Sequence, residues 1–523
     1  MSFLLLVSSA IFTAKRLITF LHVFQQEEYN SKRFIPWLIE NKAFDKRLSV
    51  IVIALIVLSF ALPSGIIALT LSIGFLTIAY LEKNPLKDAK KKLVLTNRAK
   101  RILGTSLAIM VFATVIILGL PGTHLLLWLI YIQLIPLSLV GATYLLKPVE
   151  DSVNNKFRQE AVDKLEELSP YVIAITGSFG KTSVKHILGH ILENSSPTLI
   201  TPGSVNTEMG IVRIIREKLT KNHKYFIVEM GAYGLGSIAR LCKLTPPHLS
   251  MVTAIGKAHF ERFKDLEVTA QTKYEIAEAA IANNGKVIIN TKVLQRKYAK
   301  EFTEENNDHF IHCGEGGTIR AEHIIQKPEG LNFDLVINNE TRNVLIPIYG
   351  QHHVENTLLA VAAALELGMD IEDILVSLKT IPQITHRLEV KPQPNYTIID
   401  DAFNSNPGGF EAALEVLDQI TDKASKRILV TPGMVELGDD HDSEHLRLGK
   451  IAAQKTDVTI AVCPERIESF IDGFEEANDN KSEILKMESF KEAQNWITQN
   501  AKKGDVILLE NDLPDLYEDK IKI

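Results

Sequence analysis

The 523-residue sequence has little of several features that mark particular classes of protein. Its three cysteines, Cys242, Cys313 and Cys463, stand far apart, so neither a disulfide framework nor a CxxC metal site is indicated. A net charge of −6 gives no reason to expect nucleic acid as a partner. No internal repeat or low-complexity segment is visible. What remains is a chain long enough for several domains, in a reducing compartment.

Charge is also missing from long apolar runs within the first 150 residues. Leu48 to Tyr80 contains no charged side chain and is interrupted at Pro63-Ser64-Gly65, which predicts a hairpin of two short membrane spans. Ile102–Leu120 and Leu125–Leu146 predict two further spans. The alternative, a set of buried core helices, is disfavoured because these uncharged runs are too long.

The first apolar segment, Phe3–Phe24, leaves two interpretations open. Its length suits a span, but Lys15 and Arg16 fall inside it, and charges near the centre of a spanning helix are costly. A re-entrant or interfacial helix is the alternative. A cleaved signal peptide is disfavoured, because the segment does not begin with basic residues.

The distribution of basic residues predicts the topology of these spans. Eight lysines and arginines separate the hairpin from the next span: Lys83, Lys87, Lys90, Lys91, Lys92, Arg98, Lys100 and Arg101. Such a loop is expected in the cytoplasm. Two spans later the chain returns to the same side, so we expect a multi-pass protein of the cytoplasmic (inner) membrane. Everything after about Lys147 then lies in the cytoplasm.

After the apolar region, the segment from Val172 to Ser183 has the pattern strand, glycine turn, helix. Gly177 and Gly180 allow the backbone to approach an anion, and the start of the following helix favours phosphate. Lys181 can reach terminal phosphates, and a hydroxyl of Thr182 or Ser183 can bind Mg²⁺. Because only two residues separate the glycines, a glycine-rich turn with a solvated lysine is the alternative.

The rest of the chain alternates strands and helices, which predicts a doubly wound α/β domain with ligands at the carboxyl ends of its strands. Predicted parallel strands are Tyr171–Thr176, Tyr225–Glu229, Leu249–Ile255 and Lys286–Asn290. Glu229 at a strand end is a candidate Mg²⁺ ligand, although it could instead interact with a helix N-terminus. By themselves, His259 would be a loop residue and Lys273 a solvated charge on a helix that begins near Leu266.

A series of short motifs over residues 169–523 resembles the Mur ligase family. Its first part is Gly177-Ser-Phe-Gly-Lys-Thr-Ser183, Val205-Asn-Thr-Glu-Met-Gly210, Glu229-Met-Gly231, Ala258-His-Phe-Glu261 and Thr272-Lys-Tyr-Glu275. Its second part is Gly350-Gln-His-His-Val-Glu-Asn356, His386-Arg-Leu388, Asp400-Asp-Ala-Phe-Asn-Ser-Asn-Pro407 and Gly433-Met-Val-Glu-Leu-Gly438, with His445 following. The last two motifs of this second part resemble the MurF branch.

The apolar runs indicate a transmembrane region (1–150), and the resemblance implies a central ATP-binding domain (151–382) and a smaller Rossmann-like C-terminal domain (383–523). It places ATP against Gly177, Ser178, Gly180, Lys181, Thr182, Ser183, Asn356, Arg387 and Asp401. It implies two Mg²⁺ ions bound by Thr182, Glu229, His259 and a carbamylated Lys273, with Lys181, Lys273 and His259 as catalytic residues. It places Asn404, Asn406, Glu436 and His445 near the second substrate, an amine.

The implied activity is ATP-dependent amide-bond formation through an acyl phosphate, in peptidoglycan or related envelope synthesis at the cytoplasmic face of the membrane. The apolar region occupies the position where the MurF branch has a substrate-binding domain. The acid substrate is therefore expected to be a small-molecule or lipid-linked carboxylate, and the amine an amino acid or dipeptide. Local departures are His353, Phe403 and Gly433, where Asn, Tyr and Asp are common. An ATP-driven transporter and an inactive membrane scaffold are the alternative functions.

Overall fold

A computed structural model describes most of the chain. The described residues are 3–87, 92–120, 124–256, 265–402, 406–435, 437–479 and 481–511. They form two compact units, and the boundary lies between Asn155 and Lys156. We describe each unit by itself.

The first unit consists of helices. They are α1 (Phe3–Gln26), α2 (Ser31–Glu40), α3 (Lys46–Leu58), α4 (Ser64–Leu81), α5 (Asn97–Gly119) and α6 (His124–Leu168), the last of which continues past the unit boundary. Four of these, α1, α4, α5 and α6, are long and apolar enough to cross a membrane. The structure contains no membrane, so insertion remains a prediction.

The predicted hairpin is present as helices α3 and α4, which are separated around Pro63. Helix α3 has 13 residues, fewer than the roughly 20 that a straight span needs, and is not one of the four candidate spans. The predicted boundary near residue 150 lies inside α6, a continuous helix of 45 residues that contains Pro136 and Pro148.

Helix α1 is an integral part of the helical unit. Its Arg16 is 2% exposed and donates hydrogen bonds to Asp45, which caps the N-terminus of α3, and to Glu82 at 2.9 Å, directly after α4. Phe12 and Phe20 pack against the guanidinium group. Of the two charges that made this segment ambiguous in the sequence, that of Arg16 is therefore neutralised by two carboxylates.

The second unit contains two sheets. The larger has nine strands in the order β2-β3-β1-β4-β5-β6-β7-β8-β9. They are β1 (Tyr171–Thr176), β2 (Thr198–Ile200), β3 (Tyr225–Glu229), β4 (Leu249–Val252), β5 (Lys286–Asn290), β6 (Phe310–Cys313), β7 (Ile319–Lys327), β8 (Gly330–Ile337) and β9 (Glu340–Ile346). The neighbours from β2 to β7 pair in parallel.

Helices cover both faces of this sheet, because alternate residues of its buried strands point to opposite sides. They are α7 (Lys181–Glu193), α8 (Glu208–Lys218), α9 (Ser237–Leu244), α10 (Leu266–Ala282), α11 (Lys297–Glu305), α12 (His352–Glu366) and α13 (Ile371–Leu378). Ile173 and Ile175 of β1 pack in one core with α7, α12 and α13. Val172 and Ala174 pack in the other with α8, α9 and α10. The predicted doubly wound arrangement is confirmed for this part.

Two predictions about this sheet need correction. Strand β4 ends at Val252 rather than Ile255, because Thr253 and Ala254 turn to contact the loop after β1. Strands β7, β8 and β9 extend the sheet in antiparallel pairing, where only parallel strands were predicted. The last strand of the sheet, β9, ends at Ile346, and residues 347–350 connect it to α12.

The smaller sheet has six strands in the order β10-β11-β15-β12-β13-β14. They are β10 (Glu389–Pro392), β11 (Tyr396–Asp401), β12 (Arg427–Thr431), β13 (Val458–Val462), β14 (Glu483–Met487) and β15 (Asp505–Glu510). The associated helices are α14 (Pro407–Ile420), α15 (His441–Lys455), α16 (Glu468–Ala477) and α17 (Phe490–Asn500). All pairings are parallel except that of β10 with β11, which suits the predicted Rossmann-like domain.

Candidate active site

The loop between β1 and α7, residues 177–180, is the centre of the candidate site, and we call it the phosphate loop. Gly177 and Gly180 have φ values of +156° and +82°, which disfavour residues with a side chain. A Cβ atom on Gly180 would collide with Oδ1 of Asn356, and one on Gly177 would collide with Oγ1 of Thr253. Both glycines are therefore required by the close approach of neighbouring side chains.

Residues that follow β4 hold the phosphate loop in place. The Ser178 N–H donates to the carbonyl of Ala254 at 2.7 Å, and the Ser178 hydroxyl donates to the carbonyl of Gly256 at 3.0 Å. Thr253 donates from its hydroxyl to the carbonyl of Phe179. Because parallel strands β1 and β4 are neighbours, their carboxyl ends bring these two loops together.

Lys181, Thr182 and Ser183 form the first turn of α7. Lys181 Nζ donates to the carbonyl of Gly177 at 2.7 Å, so the ammonium group lies over the phosphate loop. Burial, together with the charges of Arg387 and Lys185 and against the opposing charge of Glu229, lowers the pKa of Lys181 to about 8. Ser183 is buried on the same turn.

Glu229, at the end of β3, receives hydrogen bonds from several segments. The Thr182 hydroxyl donates to Oε2 at 3.0 Å, the Lys185 ammonium donates to Oε2 at 3.0 Å, and Asn206 Nδ2 donates to Oε1 at 3.1 Å. Burial by itself would raise the pKa of Glu229, but Lys185 and Lys181 outweigh it, so the pKa lies below its ordinary value. Glu229 is therefore an ionised carboxylate beside Thr182, as the sequence predicts for a metal ligand.

Lys273 lies on α10 and is 4% exposed, so it is not the solvated helix charge that its position alone indicated. Burial, with the charge of Lys181, lowers its pKa well below the ordinary value. Among the described residues we find no carboxylate paired with it. Reaction with CO₂ requires the unprotonated amine, and the lowered pKa of Lys273 favours that form.

The linker and the smaller sheet supply the other side of the site. Arg387 is half-buried, and desolvation lowers the pKa of its guanidinium group against the opposing charges of Asp401 and Glu229. Asp401 accepts a hydrogen bond from the N–H of Leu388 at 3.1 Å, and burial raises its pKa to about 6. The positive charge of Arg387 is near enough to Lys181 to lower the pKa of that lysine. The predicted nucleotide contacts Asn356, Arg387 and Asp401 thus lie in elements that surround the phosphate loop.

Two residues predicted near the amine make local structural contacts. Asn406 caps α14 by accepting a hydrogen bond from the N–H of Gly409 at 3.1 Å. His445 is fully buried, and both ring nitrogens bind the backbone: Nε2 accepts from the N–H of Met434 at 2.9 Å and Nδ1 lies 2.7 Å from the carbonyl of His441. His259, Asn404 and Glu436 lie outside the described residues, so their roles remain predictions.

Sequence reasoning missed two residues of the Glu229 environment. Lys185 is completely buried, and Asn206 belongs to a motif that was recognised without a role for this side chain. A signal for Lys185 existed, because it lies in line with Leu188 and Leu192 at helical spacing on the buried stripe of α7.

A separate group of possible metal ligands, His386, Glu389 and Asp400, lies near the linker. Lys391 Nζ already donates to Asp400 at 2.7 Å and to Glu389 at 2.9 Å. The ammonium group of Lys391 therefore occupies the place that a metal ion would take. These residues form an ion-pair network.

The donor set at Glu229 fits a small hard cation. Carboxylate and hydroxyl oxygens from Glu229 and Thr182 are the ligand types that Mg²⁺ prefers. Lys181, Lys185 and Arg387 give this region three positively charged groups against the carboxylates Glu229 and Asp401. Such an excess of positive charge beside a helix N-terminus favours a polyphosphate.

Comparison with known proteins agrees with this reading. Residues 175–364 match the Mur ligase middle domain, and residues 386–510 match the Mur ligase, glutamate ligase domain. Together the two matches include the phosphate loop, Glu229, Lys273, Asn356, Arg387 and Asp401.

Curated relatives carry one name, UDP-N-acetylmuramoyl-tripeptide–D-alanyl-D-alanine ligase. That of Mycobacterium tuberculosis is 32% identical over 293 residues, which cover 54% of this chain and 56% of the relative. That of Escherichia coli is 30% identical over 302 residues, which cover 55% of this chain and 63% of the relative. The chain thus spans less than two thirds of these relatives.

A crystal structure of MurF from Acinetobacter baumannii superimposes with a TM-score of 0.60 at 29% identity, covering 70% of this chain and 79% of that one. The motifs, the α/β fold and both domain matches lead to the same result. The chain belongs to the Mur ligase family and carries the middle and C-terminal domains of that family.

Proposed function

We propose that this chain is an ATP-dependent amide ligase of the MurF type. The observation that carries the proposal is the cluster at the phosphate loop, where Thr182 donates to the buried carboxylate Glu229 among Lys181, Lys273 and Arg387. The relatives at about 30% identity are named as ligases that join D-alanyl-D-alanine to a UDP-N-acetylmuramoyl tripeptide. We infer the same substrates for this chain, in peptidoglycan synthesis.

The reaction has two steps. A carboxylate oxygen of the acid attacks the γ-phosphorus of ATP, and the bond to the β,γ-bridging oxygen breaks to release ADP. The amine then attacks the acyl carbon of the acyl phosphate, phosphate leaves with the electron pair of the broken C–O bond, and the amine loses a proton to solvent. The product is an amide.

The residues of this chain act mainly through charge and position. Lys181 and Arg387 stabilise negative charge on the transferring phosphoryl group. The backbone N–H groups of the phosphate loop and the start of α7 bind the phosphates, while Asn356 contacts the base. Arg387 and Asp401 close the site from the linker and the smaller sheet, which excludes water from the acyl phosphate.

Mg²⁺, when bound, neutralises the phosphate charge and orients its oxygens. Glu229 and the Thr182 hydroxyl would hold one ion. His259 and a carbamate on Lys273 would hold a second, because addition of CO₂ converts the neutral amine to an anionic oxygen ligand. The burial of Lys273 and the depression of its pKa support this role.

We also propose that the first unit anchors the ligase in the membrane, with the active site in the cytoplasm. Most exposed large apolar side chains of the described residues lie between Phe3 and Val149. Among them are Val57 at 69% exposed and Phe112 at 68%, an arrangement suited to lipid. A ligase anchored at the membrane could also act on a lipid-linked acid, which is the second candidate for the acid substrate.

Neither a transporter nor an inactive scaffold is favoured. Arg16, a buried ionisable residue of candidate span α1, is already neutralised by Asp45 and Glu82. The contacts of Lys181, Thr182 and Glu229 at the phosphate loop support a ligase over both alternatives.

The test is ADP release by the full chain purified in detergent, supplied with ATP, Mg²⁺, UDP-N-acetylmuramoyl tripeptide and D-alanyl-D-alanine, together and singly. We expect release that requires both substrates and is abolished in Lys181→Ala. ATP binding without release would exclude this substrate pair, and the same assay with membrane extracts would then test lipid-linked carboxylates.

A further inference from the structure

Lys185 is a completely buried lysine one turn after the phosphate loop. A buried ammonium group costs several kcal/mol unless it is paired, so its position requires a partner that offsets this cost. Its two partners among the described residues are Glu229 Oε2, at 3.0 Å, and the carbonyl oxygen of Gly203.

Gly203 belongs to the segment that follows β2, residues 201–206, which we call the 201–206 loop. This loop meets Glu229 at two further points. The Glu229 N–H donates to the Thr201 hydroxyl at 3.1 Å, and Asn206 Nδ2 donates to Glu229 Oε1 at 3.1 Å. Lys185 therefore links three segments: helix α7, the end of β3 and the 201–206 loop.

Both carboxylate oxygens of Glu229 accept hydrogen bonds from protein side chains. Oε2 accepts from Lys185 and Thr182, and Oε1 accepts from Asn206. The carboxylate thus has a fixed orientation, and its charge is balanced by Lys185 before any metal ion binds. Groups that orient a metal ligand in this way commonly change metal affinity by about 10–100-fold when they are removed.

We propose that Lys185 is a positioning residue for the metal-bound nucleotide: it fixes Glu229, and through Glu229 the Thr182 hydroxyl, in the arrangement that binds Mg²⁺ together with ADP or ATP. This inference rests on the proposed nucleotide and metal site. It adds that Lys185 acts through Glu229, and that the 201–206 loop is part of the same assembly.

The test is a double-mutant cycle with Lys185→Met, Glu229→Gln and the double variant, in the full chain purified in detergent. The measured quantity is the ratio of ADP affinity in saturating Mg²⁺ to ADP affinity in EDTA, by calorimetric titration. We expect Lys185→Met to reduce this ratio about tenfold. We expect the double variant to match Glu229→Gln within about twofold, because residues that act through one contact are not additive.

Several results would overturn the inference. Additive losses, or an equal loss of ADP affinity in EDTA, would mean that Lys185 contacts the nucleotide directly. A larger ratio in Lys185→Met would mean that the lysine competes with Mg²⁺ for Glu229. An unchanged ratio would mean that it only fills the core.

Two controls keep the outcome clear. Thermal melting of each variant shows whether it is folded, and if Lys185→Met is not, Lys185→Gln takes its place with a loss of at least about threefold expected. Absence of ADP binding by the wild-type chain would overturn the proposed function, and this inference with it. Mg²⁺-dependent binding that the Lys185 variants leave unchanged would overturn this inference alone.

Discussion

At the scale of single residues, Gly180 shows how little space separates the phosphate loop from α12. Its φ is +82°, and an added Cβ would collide with Oδ1 of Asn356. Gly236 has nearly the same φ, +81°, but nothing lies within 4 Å of an added Cβ. Alanine would therefore be strained by the backbone conformation at both positions, but it would collide with a neighbouring side chain only at position 180.

We expect Gly180→Ala to weaken ADP binding by at least about tenfold, because the loop or Asn356 must move. Gly236→Ala is the matched control: it carries the same strain, about 1–2 kcal/mol, without the collision. Calorimetric titration of ADP with both variants measures the difference. Equal affinities would show that the contact with Asn356 does not shape the nucleotide site.

The burial of His445 predicts a dependence of stability on pH. Burial lowers its pKa to about 4 in the folded chain, below an unfolded value near 6.5, so the unfolded chain binds the proton first. Stability should therefore fall as pH drops from about 6.5 towards 4. His445→Gln should lower stability at pH 7.5 by about 1–3 kcal/mol and make the acid loss smaller. Calorimetric melting from pH 4.5 to 7.5 checks this, and parallel pH profiles for both proteins would contradict it.

The sequence allowed the central residues of the site to be predicted, because the carboxyl ends of parallel strands meet at one edge. Thr182 and Glu229 are brought together in this way. Lys185 was not predicted, because a lysine on an amphipathic helix is usually solvated. Nor could the sequence show that the side chains of Asn406 and His445 bind nearby backbone groups, since this depends on local geometry.

At the scale of elements, α1 depends on the ion pairs of Arg16. Removal of this guanidinium group would leave Asp45 and Glu82 buried without a cation. We expect Arg16→Met to destabilise the helical unit by about 3–5 kcal/mol. Arg33→Met is the matched control, because the pair of Arg33 with Glu28 is exposed and should contribute less than about 1 kcal/mol. Thermal melting in detergent compares the two, and equal losses would contradict the role of Arg16.

The buried strands of the fold could be predicted from the sequence, and the exposed strands could not. Strands β1, β3 and β5 have the predicted bounds, because each is a short apolar run buried on both faces. The antiparallel strands β7 to β9 were missed, since polar residues such as Asn332, Asp334 and Asn343 interrupt them on an exposed face. Strand β10 is short and lies at an edge, so its sequence carries little pattern.

At the scale of the whole molecule, the topology can be tested with cysteine labelling. The three native cysteines are buried, so they should contribute little background. We expect a membrane-impermeant maleimide to label His124→Cys in intact cells and to label Lys92→Cys only after permeabilisation, because the basic loop should be cytoplasmic. Both positions are exposed. The reverse pattern would contradict the topology, and protection of both positions until permeabilisation would argue against insertion.

The position of β1 has a consequence for the newly made chain. It is the first strand to be synthesised, yet its neighbours in the sheet are β3 and β4, and its loop is closed by Asn356 at the start of α12. A nascent chain that ends before Asn356 cannot contain a finished phosphate loop. All the apolar helices leave the ribosome before that point, so the ability to bind nucleotide arises only after the candidate spans have been made.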